Sequence, residues 1–331
     1  MTAADALLSI DVVVVAFNRF DLTESCLHHL TAQTRDHRLI VCDNGSTDAT
    51  AGRTRAVRPD AEVVRFEANQ GFSVACNAGV AAGDGDVVVL LNNDVDCRPD
   101  FLERVVAPLQ ADPAIGSVAP LTIRPDEQHI DSIGMTADAT LSGFLRLQGR
   151  PIADAGLSEP VLTGPAGAAA AYRRVAWEQV EGLDERFFAY NEDFDLGLRL
   201  RVAGWGTIAA PAAVGVHLGS ATHGHRTAWQ RLNGGFGRGY VLRRYRVLRG
   251  RGAVRAAVTE GIVIVGDALI SRDLEAARGR LRGWRAARAL PPRSRPPQAA
   301  IDHSISLRDA MALRRGVYSG ASYGPTVGKP G

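Results

Sequence analysis

Cysteine is scarce in this 331-residue chain, and the four present, Cys26, Cys42, Cys76 and Cys97, form no CxxC pair. That spacing argues against a disulfide framework or a zinc site and for reduced, buried thiols in a cytoplasmic protein. A basic leader is missing from "MTAADALLSIDVVVVAF", and Asp11 interrupts its apolar run, so no secretory signal peptide is expected. Long hydrophobic runs are missing as well. The most apolar later stretch, residues 256–270, carries Glu260 and Asp267 and is too short and too charged to span a bilayer. There is no internal repeat, and no zinc-finger or RNP-type aromatic motif of the kind nucleic-acid-binding modules carry.

What is present is an ordinary globular composition, 46% hydrophobic and 22% charged, long enough for one large core or two modest ones. The net charge of +2 hides a division. From Arg226 onward there are 21 Lys and Arg against 6 Asp and Glu, a net of +15; the preceding residues hold 17 basic and 30 acidic, a net of −13. An acidic body with a basic tail suits an anionic partner, or simply a solvated Arg-rich surface.

"IDVVVVAFN" (10–18) is a β-branched run expected to be a strand buried on both faces. Further strands are expected at the start of 38–50, in 61–72 and in 85–96, with helices over 20–32 and 73–82. Such alternation implies βαβ crossovers and a mainly parallel, Rossmann-like sheet flanked by helices. Ligands bind at the carboxyl ends of such strands. Here those ends read "AFNR", "DNGSTD", "NQGF" and "NNDVD". Beyond residue 111 the pattern loosens, with a helix at 174–181 and a strand over 207–219. The basic region has helical patterns near 228–249 and 270–289, "LPPRSRPP" (290–297) breaks structure, and 316–331 is expected to be disordered.

Several of these endings have two readings. Asp43 before Asn44-Gly45 fits an Asx-turn, or a carboxylate facing a base or ribose. "NQGFSVACNAG" fits a turn and helix cap, or donors for phosphate oxygens. In "LLNNDVDCRPDFL" the acidic side chains after a buried strand suit Mg²⁺ or Mn²⁺, with Asp94 first and Asp96 second, or else a solvated loop. His217, after another strand, is a structural histidine or a metal ligand. "FFAYNEDFDLGLRLRVAGW" (187–205) reads as a helix capped by Asn191, with Asp195 and Arg199 as a surface pair and Phe194, Leu198 and Val202 on its apolar face. Helix construction does not explain why Phe187, Phe188 and Tyr190 lead into Glu192 and Asp193.

In order, "VVVVAFNR", "VCDNGSTD", "NQGFSVACNAG", "LLNNDV", "LTGPAGAAAAYRR", "GLDERFFAYNEDFDLGLRLRVAGW" and "VHLGS" resemble the inverting GT-A glycosyltransferases of family 2, in particular the rhamnosyltransferase-like branch that builds bacterial cell-surface polysaccharides, over about residues 10–225. The resemblance implies a GT-A nucleotide-diphospho-sugar transferase fold. It places Ala16, Phe17 and Asn18 beside the nucleotide and Asp43 on the base, with Asn69, Gly71, Phe72 and Asn77 completing the wall. Asn92, Asn93 and Asp94 stand where the family carries Asp-x-Asp. Asn at the first position departs from that pattern, so Asp94 and His217 are the expected ligands of Mg²⁺ or Mn²⁺. Gly164 would lie by the donor sugar and acceptor, and Glu192 and Trp205 would shape the acceptor site. Asp193 would be the general base, taking a proton from the acceptor hydroxyl for in-line attack, a role worth ~10²–10⁴-fold.

The expected reaction moves a sugar from a nucleotide-diphosphate donor, dTDP-rhamnose before a UDP-hexose, to a saccharide or polyprenyl-diphosphate-linked acceptor. A nucleotidyltransferase would carry a Gly-rich loop after its first strand, and "AFNRFDLTES" has no glycine. A non-catalytic sugar-nucleotide-binding protein would lack the base or metal residue, and both are present. The expected organisation is a catalytic domain over 1–225, with a nucleotide-binding half at about 8–120 and an acceptor half at about 121–225. A basic helical extension over 226–289 and a Pro/Gly-rich, partly disordered tail over 290–331 follow. With no nucleic-acid module, the basic part points to the inner face of the plasma membrane, as a peripheral contact with anionic lipid.

Overall fold

The computed structural model describes residues 7–156, 161–219, 227–250 and 252–314; the disorder expected over 316–331 lies outside them. β1 (Ile10–Ala16), β2 (Arg38–Asp43), β3 (Glu62–Arg65) and β4 (Val87–Asn92) alternate with α1 (Phe20–Thr31), α2 (Thr50–Val57) and α3 (Phe72–Ala82). Then come β5 (Val95–Cys97), α4 (Phe101–Ala111), β6 (Ile115–Ile123), β7 (Ile130–Ser132) and a small hairpin of β8 (Met135–Ala137) and β9 (Gly143–Leu145). β10 (Ala169–Arg173), α5 (Arg174–Gln179), α6 (Glu192–Val202) and β11 (Gly206–His217) follow, and α7 (Ala228–Arg244), α8 (Ala253–Ser271), α9 (Glu275–Ala286) and α10 (Leu307–Arg314) end the described chain.

The main sheet runs β3-β2-β1-β4-β10-β6-β11-β5, with β7 on β6. Its first four strands are parallel, as their alternation with helices requires. β10 is antiparallel to both β4 and β6, so the sheet is mixed beyond β4. Side chains along β1 alternate between two cores, as a pleated strand buried on both faces demands. Val12, Val14 and Ala16 enter a core covered by α1 and α4; Val13 and Val15 enter one covered by α3, α5 and α6. All four cysteines are free and buried in these two cores.

Four expectations need correction. The strand expected within 61–72 is only Glu62–Arg65, because the chain then turns to reach Gly71. Asp195 and Arg199 do pair, at 2.8 Å, but Asp195 is fully buried, so this is no surface pair. The apolar face of α6 consists of buried Phe194 and Leu198, and Val202 is 40% exposed. Asn191 occupies the N-cap position in a left-handed conformation without capping by its side chain, which donates to Gly234 O at 3.3 Å instead.

The reason lies in the basic extension, which packs on the body. Tyr240 Oη donates to Asp184 at 2.6 Å, Tyr245 Oη to Asp195 at 3.3 Å, and Arg293 bridges Asp184 and Asp195. Arg238 donates to Leu141 O and Thr140 O while pairing with Glu260 at 2.7 Å. α7 and α9 cross with their backbones in contact. A Cβ on Gly239 would stand 1.9 Å from Arg280 O, and one on Gly283 1.9 Å from Phe236 O.

Candidate functional site

Register assembles the site. Ala16 lies opposite Asp43, Asp43 opposite Arg65, and Val15 opposite Asn92, so the carboxyl ends of β1 to β4 form one edge. β5 folds back against β11 with Val95 opposite His217, which carries that histidine to Asp94. The approach to β10 brings Ala168 to the end of β4, where Ala168 O accepts from Asn92 N at 2.9 Å, and sets Gly167 beside Asp193. These elements enclose a cavity of about 590 Å³, within the range of small-molecule sites.

The end of the cavity expected to take the nucleotide is knitted by side-chain amides. Asn44 donates to Asn69 Oδ1 at 3.1 Å and to Gly71 O at 3.1 Å, and accepts from Gln70 N at 2.9 Å. Gly71 is required there: its φ is +94°, and a Cβ would stand 2.8 Å from Phe188 O. Asn18 accepts from Thr47 N at 2.9 Å, tying the β1 and β2 loops. Asp43 accepts from Ser46 N at 2.8 Å, three residues on and not the two of the expected Asx-turn, while its Oδ2 is buried without a hydrogen-bond partner and 4.0 Å from Arg65 Nε.

Beside this wall, Asp94 Oδ1 is buried without a hydrogen-bond partner, 3.5 Å from His217 Nε2. The other ring nitrogen, Nδ1, is held at 2.8 Å by Asp131 on β7. Burial alone would lower the His217 pKa; Asp131 and Asp94 outweigh it and raise it to about 10. A divalent cation fits this corner if it displaces the His217 ring proton, which frees Nε2 and Asp94 Oδ1 as ligands while Asp131 orients the imidazole. No group of three His, Cys, Asp or Glu among the described residues could hold a metal ion by itself. The remaining ligands would be diphosphate oxygens and water, the habit of Mg²⁺ and Mn²⁺. Asp96 faces away, accepting from Ser25 Oγ at 2.9 Å.

Across the cavity, Asp193 accepts from Gly167 N at 2.8 Å and from Phe194 N at 2.7 Å. Glu192 is buried next to it with Oε2 unpartnered. Burial pushes both carboxyls upward, and the charge of Asp193 pushes Glu192 further, to about 8. The two N–H donors favour the anion on Asp193, so of the pair Asp193 loses its proton first and Glu192 holds its own longer. Tyr190 and Asn191, with φ of 68° and 71°, make the turn that presents the pair. Such left-handed positions cost about 1–3 kcal/mol each and tend to cluster at functional sites. Phe188 and Tyr190 stand on the cavity wall with Trp229 of α7, whose ring lies 6.0 and 5.8 Å from theirs.

Of the residues named from sequence, Phe17, Asn69, Phe72, Asn92, Asn93, Asp94, Glu192, Asp193 and His217 line this cavity. Ala16, Asn18, Asp43, Gly71, Asn77, Gly164 and Trp205 are not among its lining residues. Asn77 spends its amide on Leu183 N and O. Trp205 donates to Gln179 at 2.8 Å, and Gly164 packs on Gly197 of α6. Sequence reasoning missed Asp131, Gly167 and Trp229. Only Asp131 carried a signal, as an acidic side chain in an apolar segment.

Comparison with known proteins bears on this arrangement. The sequence profile described as "Glycosyl transferase family 2" matches residues 11–180. The N-acetylglucosaminyl-diphospho-decaprenol L-rhamnosyltransferase of Mycobacterium tuberculosis is 30% identical over 229 residues, 62% of this chain and 75% of that one. Among solved structures, a mannosyltransferase from Pyrobaculum calidifontis in complex with GDP-Man and Mn²⁺ aligns with a TM-score of 0.53 at 17% identity, covering 95% of this chain and 80% of its own. GalNAc-T7 with UDP, GalNAc and Mn²⁺ aligns with a TM-score of 0.55 at 15% identity, covering 81% and 58%. These alignments speak to the fold.

Proposed function

The chain belongs to glycosyl transferase family 2, with a GT-A fold, and from that premise we propose that it is a metal-assisted inverting transferase using a nucleotide-diphosphate sugar, with Asp193 as general base. The observation that carries the reading is the placing of a doubly hydrogen-bonded Asp193 on the same cavity as the Asp94–His217 corner. Asn69, Phe72 and Asn92 face the nucleotide, and Asp94 with His217 would hold the cation at its diphosphate. The cation, when bound, offsets charge growing on the leaving diphosphate. Asp193 takes the proton from the attacking acceptor hydroxyl. Glu192, protonated, can donate a hydrogen bond to the acceptor sugar, and Phe188, Tyr190 and Trp229 offer faces for its ring.

The M. tuberculosis relative's name supports dTDP-rhamnose as donor and a lipid-linked saccharide as acceptor, in bacterial wall or surface polysaccharide synthesis; a UDP-hexose is the second choice of donor. Such an acceptor lies at the inner membrane face, which the charge of +15 beyond residue 225 suits. Among the described residues no helix is long and apolar enough to cross a membrane. The test is incubation with a panel of sugar nucleotides and a lipid-linked acceptor, scoring release of nucleoside diphosphate with Mg²⁺, with Mn²⁺ and with chelator. Release from dTDP-rhamnose that stops in chelator supports the reading. Full activity in chelator removes the cation from it, and silence across the panel removes the reading itself.

A further inference from the structure

We propose that the outer face of α8 seats the protein on an anionic lipid bilayer, the helix lying in the plane of the interface. Val254, Val258, Ile262, Val265 and Leu269 are 76, 47, 48, 58 and 74% exposed, at spacings of four, four, three and four residues. They form one stripe roughly 22 Å long at 1.5 Å per residue. Ala257, Gly261 and Ala268 fill the gaps, and no charged residue falls on that face. The charges of α8 are turned elsewhere. Arg255 donates to Ile305 O at 2.6 Å, Glu260 is buried between Arg238 and Arg280, and Asp267 falls on the opposite side by the same spacing. A contiguous apolar patch of this kind on a soluble chain marks an interaction surface. Its hydrophobic face and limited length suit a helix lying in the interface and not across it.

Charge identifies the occupant. A turn at residues 272–274 joins α8 to α9, on which Arg278, Leu281 and Arg285 are exposed at spacings of three and four, with Leu274 and Arg288 exposed just before and after the helix. At the far end of α9, Arg243, Arg246, Arg249 and Arg288 line a cavity of about 410 Å³ with Trp284, and none of the four is ion-paired among the described residues. Aliphatic side chains flanked by unpaired guanidinium groups match acyl chains below phosphate headgroups. A second copy of this chain is a poor occupant, because it would bring two regions of net +15 together. The sequence after Arg314 offers two valines and no Leu or Ile to cover the stripe. The inference rests on the reading that the acceptor is presented at a membrane, but not on which sugar is moved.

The test uses the full chain, floated with phosphatidylglycerol or phosphatidylcholine vesicles at low and high salt. Wild type should float with the anionic vesicles, less so at high salt. The variant Val258→Asp/Ile262→Asp/Val265→Asp changes only exposed positions; it should keep its melting temperature and nucleotide binding while flotation falls by roughly tenfold or more. A Leu269→Trp variant should shift its emission to the blue on anionic vesicles only. Flotation of the triple-Asp variant equal to wild type overturns the proposal. So does a concentration-dependent dimer, seen by light scattering, that the same variant dissolves. Loss of wild-type flotation with transfer to a detergent-dispersed acceptor intact would sink the anchor and leave the enzyme. Flotation by a protein that binds no sugar nucleotide would sink the enzyme and leave the anchor.

Discussion

In the proposed reaction Asp193 and Glu192, neighbours in sequence, take different tasks, and the difference is made by two backbone N–H groups. Gly167 and Phe194 donate to Asp193, and Glu192 has an unpartnered oxygen in the same buried space. Asp193→Asn should therefore lower turnover by ~10²–10⁴-fold while calorimetry finds donor-nucleotide affinity close to wild type, because the base acts on the acceptor. Turnover near wild type with donor binding intact would remove Asp193 from the base role. Glu192 predicts a pH effect on stability. Its folded pKa, about 8, stands above the unfolded 4.5, so its protonated form stabilises the fold below pH 4.5 and that contribution is lost as pH rises towards 8. Glu192→Gln cannot ionise, so it should flatten this decline and gain about 1–3 kcal/mol over wild type at pH 8 to 9, with little difference at pH 4. Parallel melting-temperature profiles across that range would show that Glu192 is not held protonated.

At the scale of elements, the parallel half of the sheet was legible because both its signals are local. Continuous Val and Ile runs marked β1 and β4, and polar residues at their ends marked the edge on which a ligand would sit. The rest depended on contacts between distant segments. Asp195 and Arg199 show the usual spacing of a surface pair, and nothing in their own helix says that Tyr245 and Arg293 close over them. Asp131 lies on a three-residue strand too short to have a period, and Trp229 belongs to a helix whose arginines suggested only charge. Arg293, in a proline-rich stretch that reads as a break, bridges the buried carboxylates Asp184 and Asp195. Arg293→Ala would leave Asp184 and Asp195 short of a cation and should destabilise the protein by about 3–5 kcal/mol, read as a lowered denaturant midpoint. A change under about 0.5 kcal/mol, the range of ordinary surface substitutions, would mean the segment after α9 is dispensable to the fold.

For the whole molecule, the division of charge from −13 to +15 is also a division of labour across one packed body, with carboxylates of the first part held by arginines of the second. The burial of the thiols has a separate consequence. Cys26 and Cys97 lie in the core on one face of the main sheet, Cys42 and Cys76 in the core on the other. Burial suppresses the thiolate at all four, raising Cys42 to about 12, so an alkylating reagent must wait for the structure to open. Each core thus carries its own pair of chemical clocks. Because β1 and β4 send alternate side chains to both sides, loss of the sheet opens both cores together. Mass-spectrometric alkylation under native conditions should accordingly find all four cysteines modified at one shared rate, which mild denaturant accelerates equally. Cys42 and Cys76 reacting well ahead of Cys26 and Cys97 would instead reveal two layers that breathe independently about a common sheet.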